Sequence, residues 1–555
     1  MKRISAAAVC LALATASAQS QQQMDSVTRA VDRVFDSFRS TDSPGCAVAV
    51  SRNGAVVLER AYGMANLETA TPIQPSSIFH VASVSKQFTA AAILLLERDG
   101  KLSLDDDIRR HLPEMPDYGV PITIRHLLTH TSGLRDQWEL LSIARGRFEE
   151  NRITEADVMD IVPRQTALNF RPGAEYVYSN TGYTLAGVIV RRVSGKSLRE
   201  FAHERMFAPL GMTSTHFHDD YTMLVRSRTS AYAPRGGAER WRVSIPNYDT
   251  YGATSLFTTV GDLLTWEANF DRPTVGDSAM VARMEVRTPL TSGDTSNYGL
   301  GVISSRYRGA RVVDHTGGDA GYRSYLGRLP DHALAIAIAC NAATANTTQL
   351  ARGVTDAFIG SSLAPVVVPV APVRAKVPLE QLRRRAGVYF QPTTMLIVRL
   401  VLRDTSLVVE APGGPTLVPL DDKRFAIMGQ AGDVLFADGD RANYERRIPG
   451  QRAIPFERKE AVTASRTVLS QYAGTYTSAE LAGSVYRVTA TDSTIELQTG
   501  TSSPFVARLA FADTFLTGAN GNTVQFIRTG NRVTGFEITN GRVRRVRFTR
   551  SSAGG

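Results

Sequence analysis

Cysteine is nearly absent from this chain: 555 residues carry three, and Cys10 falls within an N-terminal apolar run that reads as a leader. The other two, Cys46 and Cys340, exclude a disulfide framework and a four-cysteine metal site. Each sits in an apolar stretch, which taken alone reads as a buried thiol. After the leader no apolar run reaches the roughly 20 residues needed to cross a bilayer, so the mature chain is read as not membrane-spanning. No Gly-x-Ser-x-Gly sequence occurs, which excludes the nucleophile elbow of an α/β-hydrolase. Acidic residues fall short of basic ones, 53 against 63, a formal charge of +10 that becomes +8 without Lys2 and Arg3 of the leader. That excess is spread thin. Arg383-Arg384-Arg385 and Arg542 to Arg550 are its densest stretches, and the second alternates with apolar residues as the solvated face of a strand does. Without a concentrated basic face, nucleic acid is not expected as a partner.

What the chain has is the balance of a soluble globular protein, 43% hydrophobic and 21% charged, at a length that calls for two or three domains. Lys2 and Arg3, the apolar run Ile4 to Leu13 and the small residues Ala16-Ser17-Ala18 spell a secretory signal over residues 1–18. The expected mature start is near Gln19 and the expected location periplasmic or secreted. Val9 before Cys10 is too large for a lipoprotein signal, so no lipid anchor is expected.

Residues 25–362 mix strands and helices. Cys46 to Val50, the turn Asn53-Gly54 and Val56 to Leu58 read as a β-hairpin. Helices are expected from Ser83 through Leu96, from Arg125 to His130 after Thr123, and over Thr184 to Val193. Ser324 to Leu329 and Ala333 to Ala339 read as strands joined at Pro330-Asp331. Strands at both ends of a helical middle give an α+β order in which the termini share one antiparallel sheet. Pro365, Pro369, Pro372 and Pro378 then mark a linker at 363–378. Beyond it helix signals nearly vanish and a repeat appears: Ala386-Gly387-Val388-Tyr389 recurs as Ala473-Gly474-Thr475-Tyr476, Asp404 to Leu407 as Asp492 to Ile495, and Val434 to Phe436 as Val524 to Phe526. Two copies of one β-module, 379–460 and 466–551, are expected to close as small antiparallel barrels.

The chemistry concentrates early. Ser83-Val84-Ser85-Lys86 places a hydroxyl and an amine three residues apart, on one face of a helix. A serine becomes a nucleophile when a neighbouring base takes its proton, and lysine can do so once burial or nearby charge keeps its amine neutral. The tetrapeptide alone is a weak signal, equally a helix start followed by a surface lysine. Three separated motifs give it context: Phe79 to Thr89, Ile122 to Leu134 with its His130-Thr131-Ser132-Gly133 turn, and Tyr178-Ser179-Asn180. Gly211 to Thr215 and His315-Thr316-Gly317-Gly318 extend them. Together they resemble the serine β-lactamase-related family of penicillin-recognising enzymes, which includes class C β-lactamases, D,D-peptidases, D-aminopeptidases and family VIII esterases.

That resemblance covers roughly residues 25 to 360 and implies a β-lactamase/D,D-peptidase-like catalytic domain. It implies that Ser83 attacks a carbonyl to form an acyl-enzyme, that Lys86 and Tyr178 share the proton transfers, and that Asn180 donates its amide to substrate or serves Lys86. It implies an oxyanion hole from the backbone N–H groups of Ser83 and Gly318, with His315, Thr316 and Gly317 beside the substrate. Most β-lactamases carry Lys-Thr-Gly where His315-Thr316-Gly317 stands here. A histidine is mostly neutral at pH 7, so carboxylate recognition is in question. Histidine at this place, with two barrels behind, is similar to the D-aminopeptidase layout; the substrates implied are small D-amino-acid peptides or amides, or short-chain esters. A D,D-carboxypeptidase or β-lactamase acting on cell-wall peptides or β-lactams, and a non-catalytic penicillin-binding sensor, are the alternatives. In the family the first and last strands lie side by side, which makes Cys46 and Cys340 neighbours and leaves a bridge open. His126 and His130 fall in the family's structural turn, and His216-Phe217-His218-Asp219-Asp220 reads as a solvated loop; no metal or cofactor is assigned. With every motif present by Gly318, the modules are expected to shape access without supplying chemistry.

Overall fold

The computed structural model describes residues 22–146, 150–236, 240–366, 372–411, 413–439, 443–448, 451–500, 502–518 and 521–551. The stretch read as a leader, residues 1–18, lies outside them, as does part of the stretch read as a linker. Strands β1 (Cys46–Arg52) and β2 (Ala55–Tyr62) form the expected hairpin. Its turn residues Asn53 and Gly54 both take positive φ, 53° and 78°, the backbone that a right-twisted hairpin selects and that Asn-Gly tolerates. Near the end of the domain come β3 (Ile303–Tyr307), β4 (Ala310–Asp319), β5 (Tyr322–Leu329) and β6 (Leu334–Cys340). The sheet runs β3-β4-β5-β6-β1-β2 and is antiparallel throughout. The two ends of the domain therefore do share one sheet.

Alternation along β1 and β6 explains how helices cover both faces. Val48, Val50, Ile336 and Ile338 point to one side, with Val31, Phe35, Val354 and Ile359 of the helix over residues 22–34, the turn after it and the helix Thr347–Ile359. Ala47, Ala49, Ala335, Ala337 and Ala339 point to the other. Small side chains there admit close packing of Val260–Asp271, and the central helix α1 (Ser85–Arg98) belongs to the same apolar core. Every residue of α1 from Ser85 to Leu96 is buried, as a helix inside a core must be. Cys46 stands directly opposite Cys340 in the register, and the two form a disulfide. Alone, each looked like a buried free thiol; only strand pairing joins them.

The repeat folds into two closed eight-stranded barrels, Gly387–Gln391 through Ile454–Lys459 and Gly474–Ser478 through Val546–Arg550. Equivalent details recur. The Tyr389 hydroxyl donates to the Arg385 carbonyl and that of Tyr476 to the Tyr472 carbonyl, while Arg458 and Arg550 lie over those rings at 5.7 and 5.8 Å. The first barrel packs on the second through Phe390, Ile397 and Phe511. The second shares a continuous apolar core with the first domain, so it is built into that domain rather than tethered to it.

Candidate active site

Ser83 does not open the α-helix as its spacing suggested. It occupies a 3-10 turn, Ala82–Val84, just before α1. Ala82 holds φ = 47°, an unfavourable value for a residue with a Cβ, and the surroundings hold it there. The Ala82 N–H donates to His80 Nδ1 at 3.2 Å, Ser85 Oγ donates to the Ala82 carbonyl at 2.5 Å and Ser324 Oγ to the Val81 carbonyl at 2.7 Å. Strand β4 closes against the turn at Gly317, where a Cβ would stand 2.2 Å from the Val81 oxygen; no other residue fits. Ser83 is left half-buried and reachable.

Lys86, one turn on, is fully buried. Its ammonium donates to Ser83 Oγ at 3.0 Å, Asn180 Oδ1 at 2.9 Å and the Ala253 carbonyl at 2.7 Å. Burial pulls the amine down to about 7, against the attraction of Asp319 and Asp136 and with help from Arg542. An amine poised there is neutral often enough to accept a proton from the hydroxyl it touches. Asn180 is the first residue of helix α2 (Asn180–Ser194). It is no cap: its side chain spans Lys86 and Asp136, donating from Nδ2 to Asp136 Oδ2 at 2.9 Å. Asp136, wholly buried, also accepts from the Asn180 N–H at 2.7 Å and caps the helix Gln137–Arg145 through Trp138 N–H. Sequence reasoning missed Asp136, although an aspartate ahead of an apolar-periodic run is a start signal.

The Tyr178 ring rests on His130, centroids 4.1 Å apart, with Lys86 Nζ 4.9 Å from its centre. His130 accepts the Ser179 N–H on Nδ1 at 3.1 Å, so the His130-Thr131-Ser132-Gly133 turn props the tyrosine. Burial raises the Tyr178 phenol well above its usual range, opposed by its hydrogen bond with Ser83 and by the Arg542 charge. It stays protonated at neutral pH.

The third motif divides. Along β4, His315 and Gly317 are buried, whereas Thr316 and Gly318 are exposed, as strand alternation requires. His315 Nδ1 lies 2.6 Å from the Thr316 carbonyl and Nε2 3.0 Å from the Tyr298 hydroxyl. Nδ1 must then carry the proton and Nε2 accept. Burial lowers its pKa to about 3, so it offers no cation.

The largest departure from sequence reasoning lies in the second barrel. Residues 540–545, ahead of its last strand, are not the solvated face of a strand but a loop docked on the catalytic domain. The Arg542 carbonyl accepts from Asp136 N–H at 3.3 Å and Asn169 Nδ2 at 2.8 Å, and Arg544 pairs with Glu175 at 2.9 Å. The Arg542 guanidinium then lies over the Tyr178 ring, 5.1 Å from its centre. A cation from the second barrel thus reaches the Tyr178 ring. Nor is the His216 to Asp220 stretch a solvated loop throughout, since His218 is buried and both it and His216 pack on Phe257.

Fold and site together define a serine hydrolase on a β-lactamase-like fold, with two barrels appended. The chain belongs to the Beta-lactamase family, whose model matches residues 27–359. It is similar to penicillin-binding protein 4* of Bacillus subtilis (strain 168), 30% identical over 320 residues, 54% of this chain and 68% of that protein. It is also similar to the D-aminopeptidase of Gluconobacter oxydans (strain 621H), 28% identical over 419 residues, 74% of each chain. Among solved structures, the D-amino acid amidase from Ochrobactrum anthropi SV3 complexed with L-phenylalanine amide superposes with a TM-score of 0.51 at 23% identity, covering 60% of this chain and 99% of that one. That last likeness is one of fold.

Proposed function

We propose that Ser83 is the nucleophile of an exported hydrolase that cleaves an amide or ester through an acyl-enzyme, with a D-amino-acid peptide or amide, or a short-chain ester, as substrate. The observation that carries this reading is the buried Lys86 amine 3.0 Å from Ser83 Oγ. Neutral Lys86 takes the Ser83 proton as Oγ attacks the carbonyl; the protonated Tyr178 phenol, hydrogen-bonded to Ser83, hands a proton to the departing group. The Ser83 and Gly318 N–H groups hold the oxyanion. Water then hydrolyses the ester, returning Ser83. The D-aminopeptidase relative supports the D-amino-acid class. Export rests on the sequence of residues 1–18.

Labelling with a fluorophosphonate, followed by turnover of D-aminoacyl amides, p-nitrophenyl esters, nitrocefin and D-Ala-D-Ala peptides, tests the reading. A single adduct on Ser83 and turnover within the panel are expected; an adduct on Ser85 or Ser179 overturns it. A pH profile tests the base. Lys86 faces Asp136, Asp319 and Arg542 as charged groups, and His130 and His315 as neutral ones. Since the active form is the deprotonated amine, kcat/KM for an uncharged ester is expected to rise as pH climbs through about 7 and to level above it. A rise only near an ordinary lysine pKa would remove Lys86 as base.

A further inference from the structure

Arg542 has no role in the mechanism above, yet its guanidinium lies over the ring of Tyr178, 5.1 Å from its centre. Its side chain has no carboxylate or other acceptor partner among the described residues, while neighbouring Arg544 and Arg135 are both ion-paired. It is half-buried at the edge of the site. A guanidinium with five donors, partly desolvated and unspent, is a binding site for a planar anion. The loop that carries it is not free to swing away, because its main chain is bonded to Asp136 and Asn169.

Position tells which part of the substrate it meets. Tyr178 contacts Ser83 by its hydroxyl and Arg542 by its ring. On the reading that Tyr178 protonates the departing group, Arg542 lies one tyrosine ring away from the bond that breaks, on the departing side. The third motif cannot do this work: His315 is buried and neutral. Arg323, across from Gly318 in the register, spends donors on the Ala320 and Tyr322 carbonyls at 2.9 and 2.7 Å.

We infer that Arg542, delivered by the second barrel, recognises a carboxylate on the departing group, so that the favoured substrates are peptides losing a C-terminal amino acid. This rests on the proposed roles of Ser83 and Tyr178. In the step, Ser83 Oγ bonds to the acyl carbon, the C–N bond breaks, the Oγ proton passes through Lys86 and Tyr178 to the nitrogen, and a free amino acid leaves with its carboxylate on Arg542.

The test uses the full chain and two substrates with one acyl group: an acyl-D-alanine and its acyl-D-alaninamide counterpart, identical but for the terminal carboxylate. The wild-type protein is expected to prefer the carboxylate form. In Arg542→Gln the ratio of their kcat/KM values should fall about 10- to 100-fold, the worth of a charge-assisted hydrogen bond, and Arg542→Lys should recover part of it. Folding is protected because the loop is anchored by the Arg542 carbonyl, which any residue supplies. The ratio also cancels effects on Lys86 and Tyr178 common to both substrates. An unchanged ratio, or equal losses on both, overturns the proposal. So does a ratio that survives in Arg542→Gln but collapses in Arg323→Gln. Fluorophosphonate labelling run alongside separates the two failures: no adduct on Ser83 would fault the proposed nucleophile, whereas labelling with an unaltered ratio faults Arg542 alone.

Discussion

Ser83→Ala is expected to lower turnover by at least about 10⁴-fold, the scale seen when the nucleophile of a coupled catalytic set is removed. The fold should survive. The Ser83 hydroxyl caps no helix: the residue before α1 is Val84, with no side-chain cap bond. Its loss leaves Lys86 with Asn180 Oδ1 and the Ala253 carbonyl as acceptors. The stability cost is that of one partly exposed hydrogen bond, about 1 kcal/mol. Steady-state rates on whichever panel substrate is turned over, beside a thermal melt of both proteins, provide the check. Retained activity would move the nucleophile elsewhere. The neighbouring hydroxyls are poor candidates on geometry, since Ser85 Oγ is committed to the Ala82 carbonyl and Leu256 N–H and Ser179 is buried.

Glu480→Ala is expected to be the most damaging single change outside the site, costing about 3–5 kcal/mol. Arg135 follows the Ser132-Gly133-Leu134 turn and its side chain is 1% exposed. Its donors reach Glu480 Oε1 at 2.9 Å, Gln165 Oε1 at 2.8 Å and the carbonyls of Arg544 and Arg545 at 3.0 and 3.1 Å. Three of these four acceptors belong to the second barrel. Burial disfavours the Glu480 charge, but Arg135 and the Thr166 donors prevail and hold its carboxyl below the usual range. Removing Glu480 strands a buried cation beside Asp136, and so beside Asn180 and Lys86. Urea unfolding followed by both fluorescence and Ser83 labelling should show the midpoint fall and labelling lost with it; a change within 0.5 kcal/mol, about what a surface substitution costs, would contradict this. For the same reason a chain cut near Pro369 is expected to lose labelling along with its fold, since the catalytic domain would then expose Arg135, Gln165 and the apolar surface under Tyr486. The modules looked separable from sequence; the core that the second one shares with the catalytic domain makes that barrel part of the enzyme.

By itself the sequence determined whatever depends on near neighbours in the chain. Asn53-Gly54 specifies its turn because few dipeptides tolerate two positive φ values. Thr123 caps the helix Ile124–Leu128 three residues on, and Ser83 meets Lys86 because a three-residue step returns to the same side of a helical turn. The alternating strands and their repeat announced two barrels, since each copy obeys one local pattern. Motif order placed Tyr178, Asn180 and His315 near one another. What only the tertiary structure decided are encounters between distant segments: Cys46 with Cys340, 294 residues apart, Asp136 with Asn180, and above all Arg542 with Tyr178. Local rules gave that arginine an equally good place on a solvated strand face, because charge alternating with apolar residues fits either setting. Which face meets water was settled by the docking of a whole barrel, through hydrogen bonds as far apart as Arg135 and Arg545, 410 residues in sequence. Burial, and with it the neutrality of His315 and the lowered pKa of Lys86, is likewise a property of the packed molecule, for desolvation depends on everything around a group and little on its neighbours in the chain.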